Sequence, residues 1–86
     1  MIGQFITSKA GHDKNALYVV VGEDSDYVFL SDGRLKPVDK PKRKRKKHIQ
    51  PISRKVENEL LVAIQKGLAT NEQIKYAIKQ YSKQNQ

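Results

Sequence analysis

The hydrophobic residues of this 86-residue chain change period near residue 53, and that change constrains the fold more than any other feature. Before it, apolar side chains come in short runs separated by turn residues. After it, they recur at helical spacing. "QFITS" (4–8), "ALYVVVG" (16–22) and "YVFLS" (27–31) read as strands, rich in β-branched and aromatic residues. "KAGHDKN" (9–15) is a polar loop and "EDSD" (23–26) an acidic turn. "DG" (32–33) is a hairpin signal, because glycine accepts positive φ without steric cost. "RLKPV" (34–38) is expected as a short fourth strand, with Pro37 favouring an edge, and "KHIQPI" (47–52) as a fifth. Four or five short strands with no helix between them predict a small antiparallel barrel.

Beyond residue 52, Ser53 is expected to cap a helix over "RKVENELLVAIQK", with Gly67 as its stop. Val56, Leu60, Ala63 and Ile64 fall on one helical face, which Leu61 and Leu68 widen. "TNEQ" (70–73) has the form of a capping box, in which Thr70 and Gln73 satisfy each other's backbone donors. Ile74, Ala77, Ile78 and Tyr81 then form a second apolar stripe. Two such helices cannot bury both stripes on each other in so small a unit, so they need a third surface. The second strand supplies one. Leu17, Val19 and Val21 point one way and Tyr18 and Val20 the other, so both of its faces require cover. The expected class is α+β: a sheet unit over 1–52, a helical hairpin over 53–82 packed on it, and a frayed tail at 83–86.

Length allows one small domain, with a core too modest to enclose a deep cleft. There is no Cys, hence no disulfide and no thiolate metal site. The start "MIGQFITSKAGHDK" has no long apolar run, which leads to the expectation of a cytoplasmic protein without membrane attachment. No nucleophile–base pair, phosphate-cradling glycine loop or metal-ligand spacing is present. No enzymatic activity, no catalytic or metal site, no cofactor and no small-molecule substrate are therefore expected. Asp24 and Asp26 read as a solvated acidic loop. Phe5, Tyr18, Tyr27 and Phe29 read as strand packing.

Charge is the other strong signal. The net charge is +8, and "KPKRKRKK" (40–47) carries seven Lys or Arg in eight positions, so the rest of the chain is close to neutral. Such a patch concentrates phosphates and speeds encounter with a polyanion, nucleic acid before any other. Pro41 and mutual repulsion argue against a helix here. The expectation is an extended, mobile loop over 39–48, held between the fourth and fifth strands and ordered by phosphate. In the loop 8–15, Gly11 supplies permissive backbone between Lys9, His12 and Lys14.

The stretch "GQFITSKAGHDKNALYVVVGEDSDYVFLSDGR" (3–34) resembles a KOW motif: a strand, a basic loop with a key glycine, and an apolar strand beyond it. "LKPVDKPKRKRKKHIQPI" extends the likeness. Over residues 2–52 the chain is similar to bacterial KOW-domain RNA-binding proteins related to the archaeal and eukaryotic large-subunit ribosomal protein of the fourteenth family. The resemblance implies an SH3-like (KOW) barrel that binds RNA, ribosomal RNA foremost, with Gly11 as the glycine of the KOW loop. The expected contacts are Lys40, Lys42, Arg43, Lys44, Arg45, Lys46, Lys47 and His48, beside a rim of Lys9, Gly11, His12, Lys14, Arg34 and Lys36. The expected protein is a ribosome-associated monomer, with ribosomal proteins as further partners. The alternative is a protein-interaction module of the transcription or translation machinery, using "EDSD" and the outer helix faces.

Overall fold

The structure of the protein is a computed structural model that describes residues 1–8 and 16–84. Three strands lie where the alternating pattern places them: β1 (Gln4–Ser8), β2 (Leu17–Glu23) and β3 (Tyr27–Ser31). The acidic turn between β2 and β3 holds itself. Asp24 Oδ1 accepts from the N–H of Asp26 at 3.0 Å and of Tyr27 at 2.8 Å.

After Ser31 the chain departs from expectation. Residues 34–38 form no strand, because side chains take the backbone groups that a ladder would use. Asp32 Oδ1 accepts from the N–H of Arg34 at 2.8 Å and of Lys36 at 2.9 Å. Ser31 Oγ donates to the Lys36 carbonyl at 2.7 Å and accepts from Gly33 N–H. This is the local competition that short polar side chains offer to a ladder. The fourth strand comes later and lies inside the basic run: β4 (Lys42–Arg45), antiparallel to β3 with Tyr27 opposite Arg45 and Leu30 opposite Lys42. The expected loop over 39–48 is thus a strand followed by a 3₁₀ turn at Lys46–His48.

β5 (Ile49–Lys55) is longer than expected and runs through Ser53. It pairs with β1 as far as Gln4 opposite Lys55, and Val56 N–H then donates to the Gly3 carbonyl at 2.8 Å. Ser53 therefore cannot cap a helix. α1 (Asn58–Gln65) starts later, with Glu57 at its N-cap position. It ends as the spacing predicts: Gly67 has φ +72°, its N–H donates to the Ile64 carbonyl, and Leu68 N–H donates to that of Ala63. Thr70 and Gln73 exchange both capping bonds before α2 (Asn71–Gln84).

The strand order is β4-β3-β2-β1-β5, so the two edges of the sheet are consecutive in sequence. In a flat sheet β4 and β1, three spacings apart, would stand roughly 14 Å from each other. Yet Lys44 Nζ donates to Ser8 Oγ at 2.7 Å. The sheet therefore curls on itself. Among the described residues no ladder joins β4 to β5, and the curl stays open rather than closing into a barrel.

Curling divides the core in two. Ile6, Tyr18, Val20, Val28, Leu30 and Ile49 fill the inner, concave side. Phe5 and Val19 face outward and are covered by Val56, Leu60, Ile64 and Ile74. Leu17 and Val21 pack against this second cluster, so the two faces of β2 enter different clusters. Phe5 stacks on Tyr81 of α2, with centroids 4.8 Å apart. At about 1.5–3 kcal/mol for each buried side chain, Leu60 and Ile64 of α1 and Ile74 of α2 account for roughly 4.5–9 kcal/mol of transfer free energy. That matches the whole net stability of a small domain, so the helices belong to the core.

Candidate nucleic-acid interface

A run of like charges would repel itself in a helix. In a strand, successive side chains point to opposite faces, and same-face neighbours stand roughly 7 Å apart. The exposed flank of β3 offers such a strand a partner. Pro41 precedes it, where a missing N–H costs nothing. β4 therefore sorts its cations by face. Lys42 and Lys44 lie opposite Leu30 and Val28, which belong to the inner cluster, and are half-buried. Lys44 reaches Ser8 across the concave side. Burial, and then the neighbouring Lys44 ammonium, push the Lys42 pKa below its ordinary value.

Arg43 and Arg45 face outward and are exposed. Arg45 lies directly opposite Tyr27 and Arg43 diagonally across from it. Their guanidinium carbons lie 5.3 Å and 4.4 Å from the Tyr27 ring centroid, within cation–π range. Tyr27 is half-buried between them. This ring belongs to the site, and strand packing alone does not describe it. Its role follows from the β3–β4 register, which local sequence does not encode.

The turn after β4 is tied to the acidic turn. Lys46 N–H donates to the Asp26 carbonyl at 2.9 Å, and Lys46 Nζ pairs with Glu23 Oε2 at 3.1 Å. Glu23 Oε1 accepts from the Met1 ammonium at 2.8 Å. The Met1 ammonium first, and Lys46 after it, hold the Glu23 carboxyl below the usual carboxylate range. Lys46 is thus committed to Glu23, whereas Lys40, Lys47 and His48 are exposed.

The expected rim divides. Arg34 is exposed and Lys36 half-buried in the loop after Ser31, whereas Lys46–His48 adjoins the Tyr27 end of β3, roughly 13 Å away along that strand. Lys9, Gly11, His12 and Lys14 lie outside the described residues. Ser8, just before them, pairs with Ile49 and receives the Lys44 ammonium.

At the opposite edge of the sheet, β5 and the helices enclose a recess of about 280 Å³ floored by Phe5, Leu60 and Tyr81, with Tyr76 and Arg54 among its lining residues. Among the described residues no cluster of three His, Cys, Asp or Glu could hold a metal, and no helix is long and apolar enough to cross a membrane. No protein-family model and no curated protein matches the chain. Fold and site together define a small α+β protein whose open, curled sheet presents a cationic edge strand.

Proposed function

We propose that this chain is a non-enzymatic RNA-binding protein that neutralises phosphates with the outward and turn cations of its edge strand. Arg43, Arg45 and Lys47 make the principal contacts, with Lys40 before the strand and His48 after it. The observation that carries this reading is the placement of the basic run on an exposed sheet edge, with alternate arginines turned to solvent. Charged side chains protect a sheet edge from pairing. Here all four residues of β4 are cationic, and Lys40, Lys46 and Lys47 flank it. Ribosomal RNA in the cytoplasm is the target in this reading, on the strength of the resemblance in residues 2–52.

With about four phosphates engaged on a single strand, log affinity falls against log salt with a slope near −3. Fluorescence anisotropy with a labelled RNA oligonucleotide, read from low to high salt, measures it. A slope near zero contradicts the proposal. The second reading, a protein-interaction module, is favoured by the exposure of Leu68 and Tyr76, at 69% and 64%. The acidic turn serves it less well, since Glu23 and Asp24 are occupied within the fold. A named partner that stays bound after nuclease treatment would favour this reading.

A further inference from the structure

As charges, the outward arginines Arg43 and Arg45 neutralise phosphates. Their arrangement around Tyr27 adds a second property. Arg43 lies over the ring at 4.4 Å and Arg45 at 5.3 Å, on an outer face where both arginines are exposed. A guanidinium resting on an aromatic ring is held flat and partly immobilised, and its other face can take a second planar group. The ladder sets the backbone register, Arg45 opposite Tyr27 and Arg43 opposite Phe29, and so brings both arginines beside the ring. Lysines at these positions would supply the same charge without the plane.

We infer that Arg43, Tyr27 and Arg45 form a stacking platform for an unpaired nucleobase, so that the edge selects single-stranded or looped RNA over duplex. This inference rests on the RNA-binding reading and deepens it. Duplex RNA buries its base faces, and its deep, narrow major groove does not admit side chains, so a flat cluster gains nothing from it beyond charge. An unpaired strand offers every base as a partner at little cost in sequence preference. Phosphates flanking the stacked base meet Lys47 on one side and Lys40 on the other, since these residues bracket β4.

Two RNA probes test this: a labelled 12-nucleotide unstructured single strand, and a 12-base-pair duplex, at one moderate salt concentration. The variant R43K/R45K keeps the net charge at +8 and removes both planes. The expected result is tighter binding of the single strand by the unaltered protein. The variant should lose about fivefold or more on the single strand and little on the duplex, with its thermal midpoint unchanged. Tyr27→Leu, a second route, should show the same selective loss. Equal affinity for the two probes, or equal losses on both, overturns the platform while leaving RNA binding in place. Absence of salt-dependent binding to either probe overturns the RNA-binding reading, and the platform with it.

Discussion

Gly33 and Gly67 both hold positive φ, at +73° and +72°, but in different surroundings. A β-carbon at Gly67 would meet nothing within 4 Å. Gly67→Ala should therefore cost only the left-handed penalty of about 1–2 kcal/mol. A β-carbon at Gly33 would lie 2.5 Å from the Asn71 carbonyl oxygen, a backbone atom that cannot rotate aside. Gly33→Ala should pay the same penalty and also lift its loop off the start of α2, where Asn71 Oδ1 accepts from Val38 N–H. Urea unfolding compares the two, and equal losses would argue against that docking. Gly67 was legible as a stop because its signal is local: a glycine directly follows the helical run that ends at Lys66. The duty of Gly33 was not, because it depends on a helix nearly forty residues away. Glu23 gives a pH prediction. Its carboxyl is held low in the folded state, so its contribution is full above the ordinary carboxylate range and is lost as pH falls through the lowered folded value. Thermal midpoints of the unaltered protein should drop more steeply on acidification below about pH 4.5 than those of Glu23→Gln. Parallel curves would show that the Met1–Glu23–Lys46 contacts add nothing in solution.

Among the elements, β4 shows where local pattern stops being informative. Its composition is all Lys and Arg, which no propensity reads as a strand. The flank of β3 makes it one, together with the refusal of residues 34–38 to form a ladder while Asp32 and Ser31 hold them in a turn. The same logic moved the start of α1. Ser53 is a capping residue by type, but pairing of its strand with β1 outweighs one capping bond. Where apolar periodicity is strong, in β1, β2, β3 and α2, sequence and structure agree in type and nearly in boundaries. The covering of the outer face predicts a strong dependence on the helices. Ile74 of α2 is fully buried, and Ile74→Ala should cost about 2–5 kcal/mol, read as a lowered urea midpoint. A fragment of residues 1–56 should fail to give a cooperative thermal transition, since Phe5 and Val19 would lose their cover. If that fragment melts like the full chain, the helices are accessory and the two-cluster account of the core is wrong.

For the molecule as a whole, curling of the sheet gives the basic run its two roles. A curled sheet has an inside and an outside, and a strand at its edge must present one row of side chains to each. The cationic character of 40–47 was legible from composition, and so was its preference for extended backbone. Its division into faces was not, because that required the register Tyr27–Arg45, Val28–Lys44. Lys44 and Lys42 turn inward, toward Ser8 and Leu30, and Lys46 turns to Glu23. Arg43, Arg45 and Lys47 remain at the surface. The most direct test is the salt dependence of single-stranded RNA binding by two variants, R43Q/R45Q/K47Q on the outside and K42Q/K44Q on the inside. The account predicts that the outer variant loses about 2 from the slope of log affinity against log salt, while the folded inner variant keeps the slope of the unaltered protein. Equal losses from the two variants would contradict it.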